Sequence, residues 1–312
     1  MLSRIADSLF WLNRYMERND CLVRVIRTNY ILSFDSDHRT DFSWKDVIFL
    51  FSHDHEAANT YGDNAATALN YLVTDPKNIN SIKVLVTRAR ENARGVQDYI
   101  TKELWEQVNQ LYHIVNHPGI VQKITGSQTI ELIDLLEMNS TLFYGVTDST
   151  MPRGQGWEFM NLGKFIERCM LTIDNILAHS QKMDHRLDIP KDILFWRHLL
   201  LSLSGYELYL KSYTRDQYNL NVLDHVIFNT YFPRSLFYSL YRVRRYLNEI
   251  ADHTQMDGSV MLQKQLGRIC SRVEFADLDA IKKEGLPQFL YSLRNDLNEF
   301  SKQLTQIYFS YA

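Results

Sequence analysis

A chain of 312 residues is as long as about two average domains or one large helical one, and its 12 glycines and 6 prolines fall well below the roughly 7% and 5% usual for those residues. The 34 basic and 37 acidic residues leave a net charge of −3, which supplies no basic footprint for nucleic acid or an anionic membrane surface. A hydrophobic content of 45% excludes intrinsic disorder, and scarce turn formers point to long helices.

The first predicted element is one long helix. Ile5, Leu9, Leu12, Met16, Val23, Ile26 and Tyr30 alternate in steps of four and three with only Asn19 breaking the seam, while Phe10, Trp11, Cys21, Leu22 and Val25 occupy the other side. A helix apolar on most sides is buried, so its charges need partners. A polar break at Asp35 to Thr40 precedes an aromatic segment from Phe42 to Phe51 and the cluster His53, Asp54, His55, Glu56, which reads as a solvated helix end. Further helices are expected over Ile79–Tyr99, Lys102–Asn116 and from Ile120 to Phe143, with Pro118 and Gly119 as a stop. The clearest loop is Thr147–Gly156, with Pro152, Gly154 and Gly156 inside it.

Beyond that loop the opening pattern returns. Phe159, Leu162, Ile166, Cys169, Ile173 and Ile176 lie at an offset of 150 from Leu9, Leu12, Met16, Asn19, Val23 and Ile26. Residues 12–18, Leu-Asn-Arg-Tyr-Met-Glu-Arg, align with residues 162–168, Leu-Gly-Lys-Phe-Ile-Glu-Arg. The reading is an internal duplication. Later helices are expected over Ile189–Tyr213, up to Phe228, from Pro233 to Ile250, and from Leu286-Pro287 to the C-terminus. The fold class is therefore all-α: a large bundle of about 9–12 helices in a single domain over 1–312, with halves of about 1–146 and 157–312 sharing one core and joined by loop 147–156.

Chemistry, if present, lies in Arg and Glu residues on otherwise apolar helices. Arg14, Glu17 and Arg18 lie at helical spacing, Glu17 and Arg18 recur as Glu167 and Arg168, and Arg88, Glu91 and Arg94 sit three residues apart beside Arg90 and Asn92. A buried network of this kind is either a structural lock or a polar pocket, and the residues leave both open. Arg234, beside the proline expected to open a helix, suits a carboxylate or phosphate, or equally a glutamate such as Glu17, Glu167 or Glu207. Trp11, Trp105, Trp157 and Trp196 read as core anchors. No metal site is expected: Glu-x-x-His is absent and His113 and His117 lack an acid between them. Phosphate-loop, dinucleotide and nucleophile-elbow motifs are also missing, so no cofactor is implied. Cys21, Cys169 and Cys270 are odd in number and far apart, which fits buried thiols in a reducing compartment. No apolar run approaches the ~18 residues of a bilayer span, and Arg4, Asp7, Arg14 and Glu17 interrupt the opening segment. A cytoplasmic location is expected.

The opening Met-Leu-Ser-Arg with Ala6, Ser8 to Leu12, Arg14-Tyr15 and Glu17-Arg18 resembles the start of bacterial alpha-E domain proteins. Arg88 to Arg94, Glu103, Trp105, Glu106, Gly156-Trp157, Leu162-Gly163, Glu167-Arg168, Trp196, Tyr206-Glu207 and Phe232 to Ser235 continue it across nearly the whole chain. Asn13 and Lys164 depart from the usual glycine and arginine. The resemblance implies an all-helical protein of unknown function, encoded beside or fused to circularly permuted ATP-grasp and transglutaminase-like proteins, with a proposed role in amide or peptide bonds.

Three functions follow as expectations. The first is an accessory helical subunit that binds an ATP-grasp-type ligase or its peptide. The second is an enzyme in which Glu17, Glu91, Glu167 or Glu207 serves as acid or base while Arg14, Arg18, Arg90, Asn92, Arg94, Arg168 or Arg234 holds an anionic group. The third is a structural homo-oligomer using Tyr238, Tyr241 and Tyr246 as aromatic surface.

Overall fold

The structure, a computed structural model, describes residues 1–34, 42–214, 216–254 and 256–310; the polar break expected at Asp35 to Thr40 lies outside the described residues. Among those described, the chain forms helices and no strand. They are α1 (Ser3–Leu32), α2 (Trp44–Ser52), α3 (His55–Tyr61), α4 (Ala65–Val73), α5 (Ile82–Gly95), α6 (Lys102–Val115), α7 (Ile120–Ile124) and α8 (Thr129–Thr150), with a 3-10 turn at Gln97–Tyr99. There follow α9 (Gln155–Gln181), α10 (Ile193–Ser202), α11 (Tyr206–Ser212), α12 (Tyr218–Ile227), α13 (Leu236–Thr254), α14 (Ser259–Glu274), α15 (Leu278–Glu284) and α16 (Leu286–Tyr308). None of the described helices is long and apolar enough to cross a membrane.

The all-helical class stands, but sixteen helices among the described residues replace the expected nine to twelve. Two expected helices are each cut in two. Thr129 donates its hydroxyl to the Ile124 and Gly126 carbonyls at 3.0 and 2.7 Å, which ends α7 and starts α8 as a new helix. At Ser204 the backbone turns left-handed (φ 55°), and the Gly205 amide reaches back to the Leu200 carbonyl at 2.7 Å, a Schellman-type stop that separates α10 from α11. The third source is the stretch after Phe42, which winds into α2, α3 and α4. Within it the His53–Glu56 cluster is a joint: His53 closes α2 at φ 53°, and the Asp54 carboxylate accepts the Glu56 and Ala57 amides at the start of α3.

The expected loop at 147–156 contracts to residues 151–154, because α8 runs on to Thr150 and α9 begins at Gln155. Two compact units result: Trp11–Pro152, and Met1–Phe10 with Arg153–Ala312. In the first, α6 packs against α5 and α8, and the later part of α1 runs antiparallel to α8. That register is marked by Glu17 with Tyr144, Asn19 with Ser140 and Arg27 with Asp134. Asn19, the break in the hydrophobic seam, is fully buried and donates to the Ser140 hydroxyl at 2.8 Å, so the polar residue finds its partner across the helix pair.

In the second unit α9 lies against α13 and α16, and α14 packs on both of those. The pairs Phe159 with Tyr308 and Asp174 with Arg294 make α9 and α16 antiparallel. Cys21, Cys169 and Cys270 are all buried free thiols, and burial pushes Cys270 up to about 11. Of the tyrosines expected to form oligomer surface, Tyr241 is exposed and Tyr238 half-buried, while Tyr246 is buried and accepts a 2.8 Å bond from Arg242.

Candidate functional site

The Glu-Arg dipeptide of α1 is drawn inward by its helix. Adjacent helical residues point about 100° apart, so Glu17 and Arg18 reach different neighbours. Glu17 is 1% exposed and accepts the Tyr144 hydroxyl at 2.7 Å, tying α1 to α8. Arg18 donates to Asn80 at 2.8 Å, and Asn80 donates in turn to the Phe51 carbonyl at 2.6 Å, tying α1 to the segments around α2 and α5. Arg14 lies 4.6 Å over the Trp11 ring, and Arg88 lies 5.9 Å over Tyr15. One helical turn beyond Glu17, the buried pair Asp20 and Arg24 closes at 3.1 Å.

In the second dipeptide both residues are buried. Glu167 is 2% exposed, and Arg168 donates to the Pro233 carbonyl at 3.2 Å while its guanidinium lies 5.1 Å from the Phe165 ring. Thr172, one turn on, donates to the Arg234 carbonyl at 3.2 Å. These bonds hold the turn that precedes α13, and the expectation of a helix opening at Pro233 is corrected: α13 starts at Leu236. Ser235 supplies the cap instead, accepting the Tyr238 amide at 3.0 Å. Arg234 therefore sits in the turn, just before the cap of α13.

Asp174 and Arg294 form a forked ion pair, two bonds of 2.6 and 3.1 Å between α9 and α16. Burial opposes the charge on Arg294, but the Asp174 bond and charge, with the nearby Glu167, raise its pKa above the ordinary value. Asp174 is 11% and Arg294 27% exposed, so the pair is only partly screened. We expect Asp174→Ala to cost about 2–3 kcal/mol in urea unfolding, since it strands a guanidinium among packed helices; a matching loss in Arg294→Ala, without further loss in the double variant, would assign that cost to the pair.

The Arg-Glu-Asn-Ala-Arg stretch divides differently from its spacing. Arg90 is held on an aromatic shelf, donating to Asn109 at 2.6 Å with its guanidinium 4.4 Å over Tyr112 and 5.5 Å over Trp105. Asn92 bonds the Arg88 carbonyl of its own helix at 2.9 Å, and Glu91 and Arg94 stand exposed. Glu207 is exposed on α11. Of the four tryptophans read as core anchors, Trp196 is fully buried; Trp11, Trp105 and Trp157 are half-buried and each carries an arginine on its ring, Arg153 lying 3.7 Å from Trp157. Arginines therefore find aromatic and amide partners, which a search for Glu-Arg spacing passes over.

A feature that sequence reasoning missed lies in the second unit. A cleft of about 820 Å³ opens where α12, α13, α14 and α15 come together, with an apolar wall from Leu220, Phe228, Phe237, Val273 and Leu278. None of the Glu or Arg candidates above is among its described lining residues. Tyr213, at its edge, donates to Asp224 at 2.7 Å; burial and that bond push the phenol well above its ordinary range. Behind it Tyr209 is pushed up to about 12 by burial, and His225, stacked 4.4 Å from Phe232, is pushed by burial down to about 4. The Asn229 amide donates to His225 Nδ1 at 3.3 Å, which assigns the neutral ring its tautomer.

Deeper in the same unit, His179 and His198 meet at 2.8 Å. His179 Nδ1 donates to the Asn175 carbonyl at 2.8 Å, and its Nε2 shares one proton with His198 Nδ1. Burial, with His179 alongside, holds His198 well below the usual imidazole range. The unfolded chain protonates His198 and His225 below about pH 6.5 while the folded chain keeps both neutral, so the stability they contribute is full above that pH and is lost as pH falls toward 4. His225 alone is expected to withdraw about 1–2 kcal/mol by pH 5; denaturant midpoints at pH 7.5 and 5 measure it, and His225→Phe should flatten the slope.

Comparison with known proteins agrees with this architecture. A family model described as "a predicted alpha-helical domain with a conserved ER motif" matches residues 1–309. Uncharacterised proteins of Mycobacterium bovis and Mycobacterium tuberculosis are each 21% identical over 307 residues, covering 91% of this chain. The match takes in 34% of each, so the chain spans about a third of the length of these curated relatives. No solved structure matches. With Glu17-Arg18 and Glu167-Arg168 as its Glu-Arg dipeptides, each with its glutamate buried in a helix that braces its neighbours, the chain belongs to the Alpha-E family.

Proposed function

We propose that this chain is an accessory helical domain that binds a partner protein, or that partner's peptide substrate, in an amide- or peptide-ligation system of the ATP-grasp type. The observation that carries the reading is the use made of the Glu-Arg motif. Glu17 holds α8 through Tyr144, Arg18 holds Asn80, and Arg168 holds the turn before α13. An acid-base site needs a carboxylate presented to a cleft beside an anion holder. Here Glu17 braces α8, Glu167 is buried in α9 with Arg294 nearby, Glu91 and Glu207 face solvent, and the 820 Å³ cleft has a different lining.

The lengths of the relatives support the same reading, because in them the matched region is a third of a longer polypeptide and operates tethered to other sequence. The class of partner comes from the family resemblance. A tagged copy expressed in its native host is expected to retain an ATP-grasp protein through a salt wash; recovery of neither such a protein nor a peptide removes the proposal. The two units also share a plan, in that α1 and α9 each pair antiparallel with a later long helix of their unit, α8 and α16, through buried polar contacts. We infer from this and from the offset of 150 that they are copies of one ancestral half.

A further inference from the structure

The geometry points to a cationic peptide segment as the occupant of the cleft between α12, α13, α14 and α15. A volume of about 820 Å³ lies within the roughly 300–1,000 Å³ of ligand sites, and it is far larger than an ammonium ion needs. Among the described lining residues, Asp224, Glu274, Asp277 and Asp279 stand against Lys282 alone. An occupant must therefore bring positive charge, and the apolar wall requires it to bring an aliphatic or aromatic side chain as well.

Asp224 is held by Tyr213 and Asp277 caps α15, which leaves Glu274 and Asp279 for such a guest. Glu274 reaches Arg244 at 3.5 Å with both side chains more than a third exposed, and Asp279 reaches Lys282 at 3.5 Å with its own side chain 82% exposed. Long, solvated pairs of this kind contribute little, so a guanidinium making two parallel bonds displaces them at small cost. A second observation is independent of charge. Tyr231 and Phe275, next in sequence to the lining residues Thr230 and Ala276, are 86% and 82% exposed. Aromatic rings left in water beside a cleft are the groups that anchor interfaces, and they also attract guanidinium and ammonium groups through their faces.

The assignment deepens the partner-binding reading and rests on it only for the owner of the peptide. The test uses the purified full chain and three probes in titration calorimetry: an amidated Arg-Leu-Arg-Leu-Arg peptide, its Glu-Leu-Glu-Leu-Glu counterpart, and arginine amide. The basic peptide is expected to bind with an affinity that falls as salt rises. Glu274→Gln combined with Asp279→Asn is expected to weaken it about tenfold, and Phe275→Ala about fivefold, with melting temperatures unchanged because all three side chains are solvent-exposed. Equal binding of the acidic peptide, no binding of the basic one up to about 1 mM, unchanged affinity in the variants, or arginine amide binding as tightly as the peptide each overturns the assignment. Failure to co-purify a ligase leaves this titration unaffected, so the two readings fail separately.

Discussion

Trp196→Ala is expected to lower the unfolding free energy by about 3–5 kcal/mol, the range for deleting a fully buried large aromatic. Trp196 is among the largest side chains with no exposed surface, so the cavity left behind has few ways to collapse. The indole is also a polar anchor. Its Nε1 donates to Asn219 at 2.9 Å, and the Asn219 amide donates to the Leu187 and Ile189 carbonyls at 3.1 and 2.7 Å. One side chain therefore joins α10, α12 and the segment that leads into α10. Trp196→Phe keeps most of the apolar volume but strands the Asn219 oxygen, and about 1–2 kcal/mol is expected. Chemical denaturation of the two variants separates burial from hydrogen bonding. A loss under about 1.5 kcal/mol in the alanine variant would mean that the site repacks.

Gly163→Ala is the second large effect, and its sign is decided by competing magnitudes. In a helix interior the change gains about 1 kcal/mol from propensity alone. At this position a Cβ would lie 2.3 Å from the Phe10 carbonyl oxygen and 3.1 Å from its carbon, a collision with backbone that no rotamer relieves. Relief requires α9 to back away from the start of α1, opening contacts around Leu9, Phe10, Leu162 and Ile166, all of them buried to within 1%. Overpacking of this kind costs about 1–3 kcal/mol and more where backbone must move, so a net loss of about 2 kcal/mol is expected. Gly145 is the internal control: it lies exposed in α8 with nothing within 4 Å of the place an added methyl would take, and Gly145→Ala should raise the melting temperature. Opposite shifts for the two glycines support the close-approach account; shifts of the same sign refute it.

The helices themselves were legible because their signals are local. Seam periodicity located α1 and α9, the expected starts at Lys102 and Leu286-Pro287 match those of α6 and α16, and burial of Glu17 and of Glu167-Arg168 followed from helices apolar on most sides. Where local signals conflicted, the reading failed: Pro233 suits a first helical turn, yet Ser235 caps α13 because Arg168 and Thr172 of α9 hold the carbonyls of Pro233 and Arg234. Partners were illegible for a related reason. Asp174 meets Arg294 across 120 intervening positions, and Tyr144 meets Glu17 across 127, with no spacing rule to connect them.

By itself, then, the sequence determined an all-helical chain, its main helices and the inward direction of its Glu-Arg motif, because helix periodicity and burial are set by residues three and four apart. Only the tertiary structure decided which side chains those charges meet, that Arg14 and Arg90 rest on rings and Arg18 on an amide, and that a cleft with an acidic edge opens among α12 to α15. Those outcomes depend on the register in which helices distant in sequence dock, and that register is chosen by the packing of whole faces against one another.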